Sequence, residues 1–284
     1  MRSVVVTGVS TGIGRATAKL LLDRGMRVFG SVRKAADAER LRGDFGANFT
    51  PLLFDVTDEA AVHAAAREVR AILNGETLAG LVNNAGVAVA GPALELPVDQ
   101  FRRQFEINVI GPVIVTQAFG PLLGMDSTLR GAKGRIVMVS SLAGKNGNPF
   151  VSPYSASKHA LEGLAESFRR ELMLFPIDVV IVAPGAVKTP IWAKADEVDI
   201  SAYKNSPFFP ALEKIRRVMF QLGEKGLPAE RIADVIVEAL TAARPKTRYQ
   251  IAPDRIEQLA VKLLPKRMID RIVAKRLGLS PSGT

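Results

Sequence analysis

The chain predicts an α/β fold: a doubly wound parallel sheet in three layers, α/β/α, followed by a helical C-terminal extension. Three features carry that prediction. Short apolar, β-branched runs alternate with longer segments of helical period. The runs are continuously apolar, as expected of strands buried on both faces. A glycine-rich turn stands between the first run and the first helical segment. Alternation of this kind builds βαβ units, and βαβ units build a parallel sheet.

The elements follow in order. SVVVTG, residues 3–8, reads as a strand that runs into the glycine turn, and residues 13–24 as the first helix. RVFGSV (27–32) and FTPLLFDV (49–56) are the next strands, and 58–73 the next helix. LAGLVNNAG (78–86) is a strand ending in turn residues, followed by a mostly helical stretch over 98–123 despite Gly111-Pro112. GRIVMVSS (134–141) is a strand, 153–175 a helix, and IDVVIVAPG (177–185) a strand. The helix at 153 starts with Ser152 as N-cap and Pro153 at its first position, and Phe175-Pro176 ends it. After Pro190 the pattern weakens, with Trp192, Phe208, Phe209 and Phe220 among prolines and charges. Residues 228–243 then read as a helix, TRYQIA (247–252) as a short strand, and 254–277 as one or two amphipathic helices. There is no internal repeat, low-complexity linker or second domain.

Composition narrows the function classes. No cysteine is present, which excludes disulfides and thiolate zinc sites, and the two histidines, His63 and His159, are too few for a histidine-rich metal site. The start, MRSVVVTGVS, lacks the three regions of a signal peptide, and no apolar run reaches the length of a membrane span. The expectation is a cytoplasmic protein. Net charge is +10, and residues 244–279 hold ten Lys/Arg against three Asp/Glu, which is +7 of it. A basic tail suits an anionic surface or a solvated helical face. No nucleic-acid recognition motif accompanies the charge, so nucleic acid is not expected as a partner.

Three short motifs carry chemistry. TGVSTGIG (7–14) places Gly8, Gly12 and Gly14 between a strand and a helix. Glycines let a backbone approach closely, and a helix N-terminus offers free N–H groups to a pyrophosphate. The same residues also make an ordinary βα turn. NNAG (83–86) ends the fourth strand, at the carboxyl edge where ligands bind in open α/β sheets; it also reads as a plain turn. In SPYSASKHAL (152–161), Tyr154 and Lys158 share a helical face at i,i+4. A free phenol titrates near about 10 and is a poor acid or base at neutrality; a nearby ammonium would lower that value. Alone, the pair reads as a surface contact. Ser140-Ser141 at the end of the preceding strand adds a hydroxyl for the same substrate oxygen. His159 points off this face and is assigned no role.

TGVSTGIG, NNAG, the strand-end serine, YSASK and PGAVKT (184–189) occur in this order, and together they strongly resemble the short-chain dehydrogenase/reductase (SDR) family and its Rossmann-like fold. The resemblance is close over residues 1–190. It implies Tyr154 as acid/base, Lys158 as the residue that holds the nicotinamide ribose and lowers the tyrosine pKa, and Ser141 as the group orienting the substrate oxygen. Asn108, in FEINVIG, would support a water-linked proton relay to the lysine. Gly8, Ser10, Thr11, Gly12, Ile13 and Gly14 would form the pyrophosphate turn. Asp55 and Val56 would meet the adenine, and Asn83, Ala85 and Gly86 would flank the adenosine side. Pro184, Gly185, Val187 and Thr189 would meet the nicotinamide end. By the same resemblance, residues 1–252 form one domain in which 190–226 covers the substrate, and 253–284 is a basic helical extension.

Cofactor and substrate follow from departures within this pattern. At the end of the second strand, where an NAD enzyme of the family shows Asp, this chain has Val32, then Arg33 and Lys34. A guanidinium matches a 2′-phosphate, so NADP(H) is expected over NAD(H), with NAD(H) still open. The covering segment is rich in Trp192, Phe208, Phe209, Met219 and Phe220, which suits either a hydrophobic ligand or packing onto the body. SSLAGKNG and the long extension resemble the branch acting on steroids, retinoids and other lipophilic alcohols. The expected function is NADP(H)-dependent interconversion of a hydrophobic alcohol and its ketone or aldehyde. The alternative is a non-catalytic dinucleotide sensor or scaffold on the same fold. A homodimer or tetramer is implied through the helices at 98–123 and 153–175. In the extension, Ile256, Leu259, Leu263, Ile269, Ile272 and Leu277 fall near helical spacing among basic residues. That pattern suits packing on the body or peripheral membrane contact.

Overall fold

The computed structural model describes residues 1–188, 200–252 and 263–279, and leaves aside the side chains of residues 220, 222 and 224. Seven strands are described: β1 (Ser3–Val6), β2 (Arg27–Val32), β3 (Phe49–Leu53), β4 (Gly80–Asn83), β5 (Arg135–Val139), β6 (Asp178–Pro184) and β7 (Arg248–Ile251). They form one sheet in the order β3-β2-β1-β4-β5-β6-β7, and every pairing is parallel. A parallel neighbour can be reached only by a crossover, and the helices supply it. These are α1 (Gly12–Asp23), α2 (Ala35–Phe45), α3 (Glu59–Leu73), α4 (Val98–Phe105), α5 (Gly111–Phe119), α6 (Ser152–Glu171), α7 (Phe209–Glu224), α8 (Ala229–Thr241) and α9 (Lys266–Leu277).

Continuous apolarity in the strands is explained by two cores. Val4 and Val6 of β1 face one layer, where Leu21 of α1, Leu41 of α2 and Ile232 of α8 pack. Val5 faces the other, against Val69 of α3, Phe119 of α5 and Leu161 of α6. Successive side chains of a strand point to opposite faces, so a strand between two helical layers is apolar at every position.

The predicted Rossmann-like, three-layer fold is the observed one. The strands are shorter than predicted at their carboxyl ends: residues 84–86 and 140–141 lie in loops, where they bound the cleft instead of pairing. Two helices stand where no helix was assigned, α2 and α7. Ser152 is the first residue of α6, and its hydroxyl makes no cap; it is buried without a partner. The helical stretch Val98–Leu123 has the length and mean hydropathy to cross a membrane, although it contains no unbroken apolar run of that length. More than half of its most apolar part is buried, and α5 packs on α3, which is the environment of a core helix.

Candidate active site

β1 and β4 are neighbours from which the chain departs in opposite directions, to β2 on one side and β5 on the other. Their carboxyl ends therefore leave a crevice. Side chains lock the two loops there. Thr7 Oγ1 accepts the amides of Asn84 and Ala85, each at 2.9 Å. Asn84 Nδ2 donates to the carbonyls of Thr7 at 2.8 Å and Gly8 at 3.2 Å. Ser31 Oγ accepts Gly8 N at 3.0 Å. Gly8 has φ +71° and Gly12 φ +58°, left-handed backbone that favours glycine. A Cβ on Gly14 would lie 2.2 Å from the Gly8 carbonyl oxygen and 2.5 Å from Asn84 Nδ2. The glycines let α1 start directly against the crevice, with its unbonded first-turn N–H groups facing it. That cradle fits a pyrophosphate.

A cavity of about 730 Å³ runs from this turn to the carboxyl ends of β5 and β6. Gly8, Ser10, Thr11, Gly12, Ile13, Arg33, Asp55, Val56, Ala85 and Gly86 line one end, and Ser141, Tyr154, Lys158, Pro184, Gly185 and Val187 the other. Four residues assigned to the site do not line the cavity. Gly14 acts through the close approach just described. Lys34 precedes α2 at its N-cap position. Asn83 turns into the core, where Nδ2 donates to Thr116 Oγ1 at 3.1 Å; its neighbour Asn84 does the bridging instead. Asn108 sits in a π-turn, Glu106–Ile110, and its amide holds Val87 through N at 2.9 Å and O at 3.0 Å, and donates to Ser157 Oγ at 3.2 Å. Thr189 and Trp192 lie outside the described residues.

At the glycine-turn end, β2 stops at Val32 without a carboxylate. Arg33 follows, 58% exposed, with its guanidinium 3.6 Å from Asp55.

At the other end three side chains converge. Ser141 lines this end of the cavity beside Tyr154, and its Oγ accepts Ala143 N at 3.1 Å. Lys158 is buried; Nζ donates to the Val139 carbonyl at 2.9 Å and lies 5.8 Å from the Tyr154 ring centre. The electrostatics correct one expectation. Burial pushes the half-buried Tyr154 phenol above its ordinary value, and the nearby Ser141 hydroxyl offsets only part of that rise. The lysine does not lower it. Lys158 is itself brought down to about 8 by burial, opposed by the charge of Glu162. His159 Nδ1 lies 2.8 Å from the Ser155 carbonyl oxygen, at the surface, as its orientation predicted.

Two residues of this end went unnoticed in the sequence: Glu162, one turn after Lys158, and Arg248 in β7, whose guanidinium meets it at 2.9 Å. The spacing from Lys158 was a signal for Glu162. Nothing local marks Arg248.

The walls beyond Tyr154 are largely apolar, with Val87, Val89, Ala90, Leu96 and Ile107 among them, beside Gln100 and Arg103. From the covering segment, among the described residues, Ala202 and Tyr203 reach the cavity. Phe208 packs instead on Phe150, ring centres 6.1 Å apart, beside Ala211 and Leu212 of α7. Phe209 and Met219 do not line the cavity, and the Phe220 side chain lies outside the described residues. Leu277 and Val273 of α9 join the Phe150 cluster, so the described part of the extension packs on α7.

Comparison with known proteins agrees with this geometry. The family model for short chain dehydrogenases matches residues 2–199. The chain is 40% identical over 278 residues to an NADPH-dependent 3-dehydrocapnine reductase of Ornithobacterium rhinotracheale, covering 98% of each protein. It is 32% identical to human retinol dehydrogenase 5, covering 95% of this chain and 87% of the other. A short-chain dehydrogenase structure from Streptomyces avermitilis superposes with a TM-score of 0.76 at 26% identity, over 99% of this chain and 98% of that one. A short-chain dehydrogenase/reductase from Burkholderia phymatum in complex with NAD gives 0.76 at 25% identity, covering 95% of each chain. The crevice geometry, the residues around Tyr154 and these likenesses together place this chain in the short-chain dehydrogenase/reductase family of oxidoreductases.

Proposed function

We propose that the protein is an NADP(H)-dependent oxidoreductase that interconverts a hydrophobic alcohol and its ketone or aldehyde, with Tyr154 giving or taking the proton. The observation that carries this reading is the convergence of Ser141, Tyr154 and Lys158 at one end of a cavity whose other end is the glycine turn. A bound nicotinamide ring supplies or takes the hydride. The chain's residues do the rest. Ser141 and Tyr154, which line the same end of the cavity, would present two hydroxyls to one substrate oxygen. Raised above its ordinary value, the phenol is in the protonated form that donation to a carbonyl requires, although the rise itself makes it a weaker acid. Lys158 spends one N–H on Val139 and keeps two for the cofactor ribose. Asn108 holds the wall at Val87, where a water-linked relay toward Lys158 would begin.

NADP(H) over NAD(H) is supported by Arg33 at the adenosine end and by the absence of a carboxylate at the end of β2. The relative acting with NADPH points the same way. Apolar walls and the retinol dehydrogenase likeness support a lipophilic substrate. Residues 190–226 would cover it. Peripheral contact with an anionic membrane is supported by α9, where exposed Met268 and Ile272 stand among Arg271, Lys275 and Arg276. Pairing into a homodimer is supported by the exposed Ile110 on the α4–α5 stretch and by Met173 and Leu174 just after α6.

The test is turnover. Absorbance of NADPH, and separately NADH, is followed against lipophilic ketones and aldehydes, with Tyr154→Phe beside the wild type. Oxidation that prefers NADPH and is lost in Tyr154→Phe supports the reading. Cofactor binding with no turnover of any carbonyl would favour the sensor. A fully active Tyr154→Phe protein would overturn the mechanism.

A further inference from the structure

We propose that Glu162 is a positioning residue of the active site: with Arg248 it clamps the end of β5 between α6 and β7, and so sets the placement of Ser141 and the charge of Lys158. The inference rests on the roles proposed above for Ser141, Tyr154 and Lys158. Glu162 is 2% exposed, and a carboxylate so buried persists only when it is paired and hydrogen-bonded. It is. Arg248 grips it from β7 through Nη2 to Oε1 at 2.9 Å and Nε to Oε2 at 3.0 Å. Lys145 Nζ approaches Oε2 at 3.5 Å from the turn after Ser141. Ser140 Oγ donates to Oε1 at 3.0 Å.

The Ser140 bond is what connects this cluster to the chemistry. Ser140 stands between Val139, whose carbonyl holds Lys158, and Ser141, which lines the cavity beside Tyr154. The short turn Leu142–Gly144 is pressed onto the carboxylate: a Cβ on Gly144 would lie 2.5 Å from Glu162 Oε1 and 2.7 Å from Ser140 Oγ. The backbone bearing both partners of the reacting pair is thus fixed from beneath by one side chain. The charge acts too. Lys158 and Glu162 are one turn apart on α6, and the carboxylate favours the ammonium against its burial. The charged or titratable groups facing these two are Tyr154 from α6, Lys145 from the turn after β5, and Arg248 from β7.

The experiment compares wild type, Glu162→Gln, Glu162→Asp and the double variant Glu162→Gln/Arg248→Gln. The last keeps the fold testable, because Glu162→Gln alone leaves Arg248 without its carboxylate. Two readouts are taken: the ¹³C titration of the Lys158 Cε in the cofactor-free protein, assigned by difference with Lys158→Met, and the pH profile of kcat and KM. The lysine midpoint is expected to fall by about one pH unit from its wild-type position in both Gln-containing variants, and the alkaline limb of kcat to fall with it. Glu162→Asp, which keeps the charge, is expected to restore the limb. A lower kcat at every pH with both midpoints unmoved would overturn the proposal and leave Glu162 a structural residue. The lysine titration needs no turnover, so a wild type inactive on every carbonyl would defeat the function proposed above while this inference is still decided.

Discussion

The two ends of the cavity are built on different physical principles. The dinucleotide end is backbone: glycines of left-handed φ, amides at the start of α1, and loops pinned by Thr7 and Asn84. Its side chains are replaceable unless they fill space that the backbone needs. The reacting end is side chain: one phenol, one hydroxyl and one ammonium, each tuned by what buries it. There a single atom decides the chemistry, while the backbone beneath is held by ion pairs. The first end recognises a shape shared by many ligands. The second, on the function proposed above, would perform one reaction.

That contrast can be broken or sharpened by substitution. The largest effect is expected at the reacting end. Tyr154→Phe removes only an oxygen, and kcat should fall about 10²–10⁴-fold while the dissociation constant of NADPH, followed by fluorescence titration, stays within about twofold. A parallel loss of cofactor binding would mean the two ends are not separable. At the dinucleotide end, Gly14→Ala adds only a methyl, yet its carbon would meet the Gly8 carbonyl oxygen at 2.2 Å. We expect about 1–3 kcal/mol lost in urea unfolding, and dinucleotide binding weakened with it.

Lys158→Met should have an opposite, pH-dependent effect on the cofactor-free protein. The folded-state value is depressed from 10.5 to about 8, so between those values the unfolded chain binds more protons and stability rises with pH. Below about 8 both states are charged, and the burial cost is carried in full. The Met variant should therefore be the more stable by about 1–3 kcal/mol at pH 7, with the gap closing toward pH 10.5. Thermal melts across that range read it. The smallest effect is expected at Arg33, more than half exposed and already facing Asp55. Arg33→Ala should weaken NADPH about tenfold and leave NADH nearly unchanged, since a guanidinium–phosphate contact at an exposed site is worth on the order of 1 kcal/mol. Equal loss for both would remove the basis for preferring NADP(H).

Legibility followed the same division. The glycine turn could be read because three glycines at short spacing have few other uses between a strand and a helix. Tyr154 and Lys158 could be read because i,i+4 is a contact that helix geometry guarantees. NNAG marked the right place, but which asparagine bridges was invisible: Asn83 turns into the core and Asn84 across to β1. The aromatic residues near 208 suited either a substrate wall or packing onto the body, and Phe208 proved to pack on Phe150, because composition does not say which way a ring points.

The sequence by itself determined the fold class and the order of its strands along the chain, and it singled out Tyr154 and Lys158 as the candidate reacting pair. Period and short spacing are local properties, and backbone geometry converts them into faces without further information. Only the tertiary structure decided how that pair is charged and held. The sign of the Tyr154 shift depends on burial, which no local pattern reports. Glu162 and Arg248 are 86 residues apart in the chain and meet at 2.9 Å only because β7 closes the sheet beside β6. Burial and long-range ion pairing are sums over the whole packed molecule, so they exist only once the fold does.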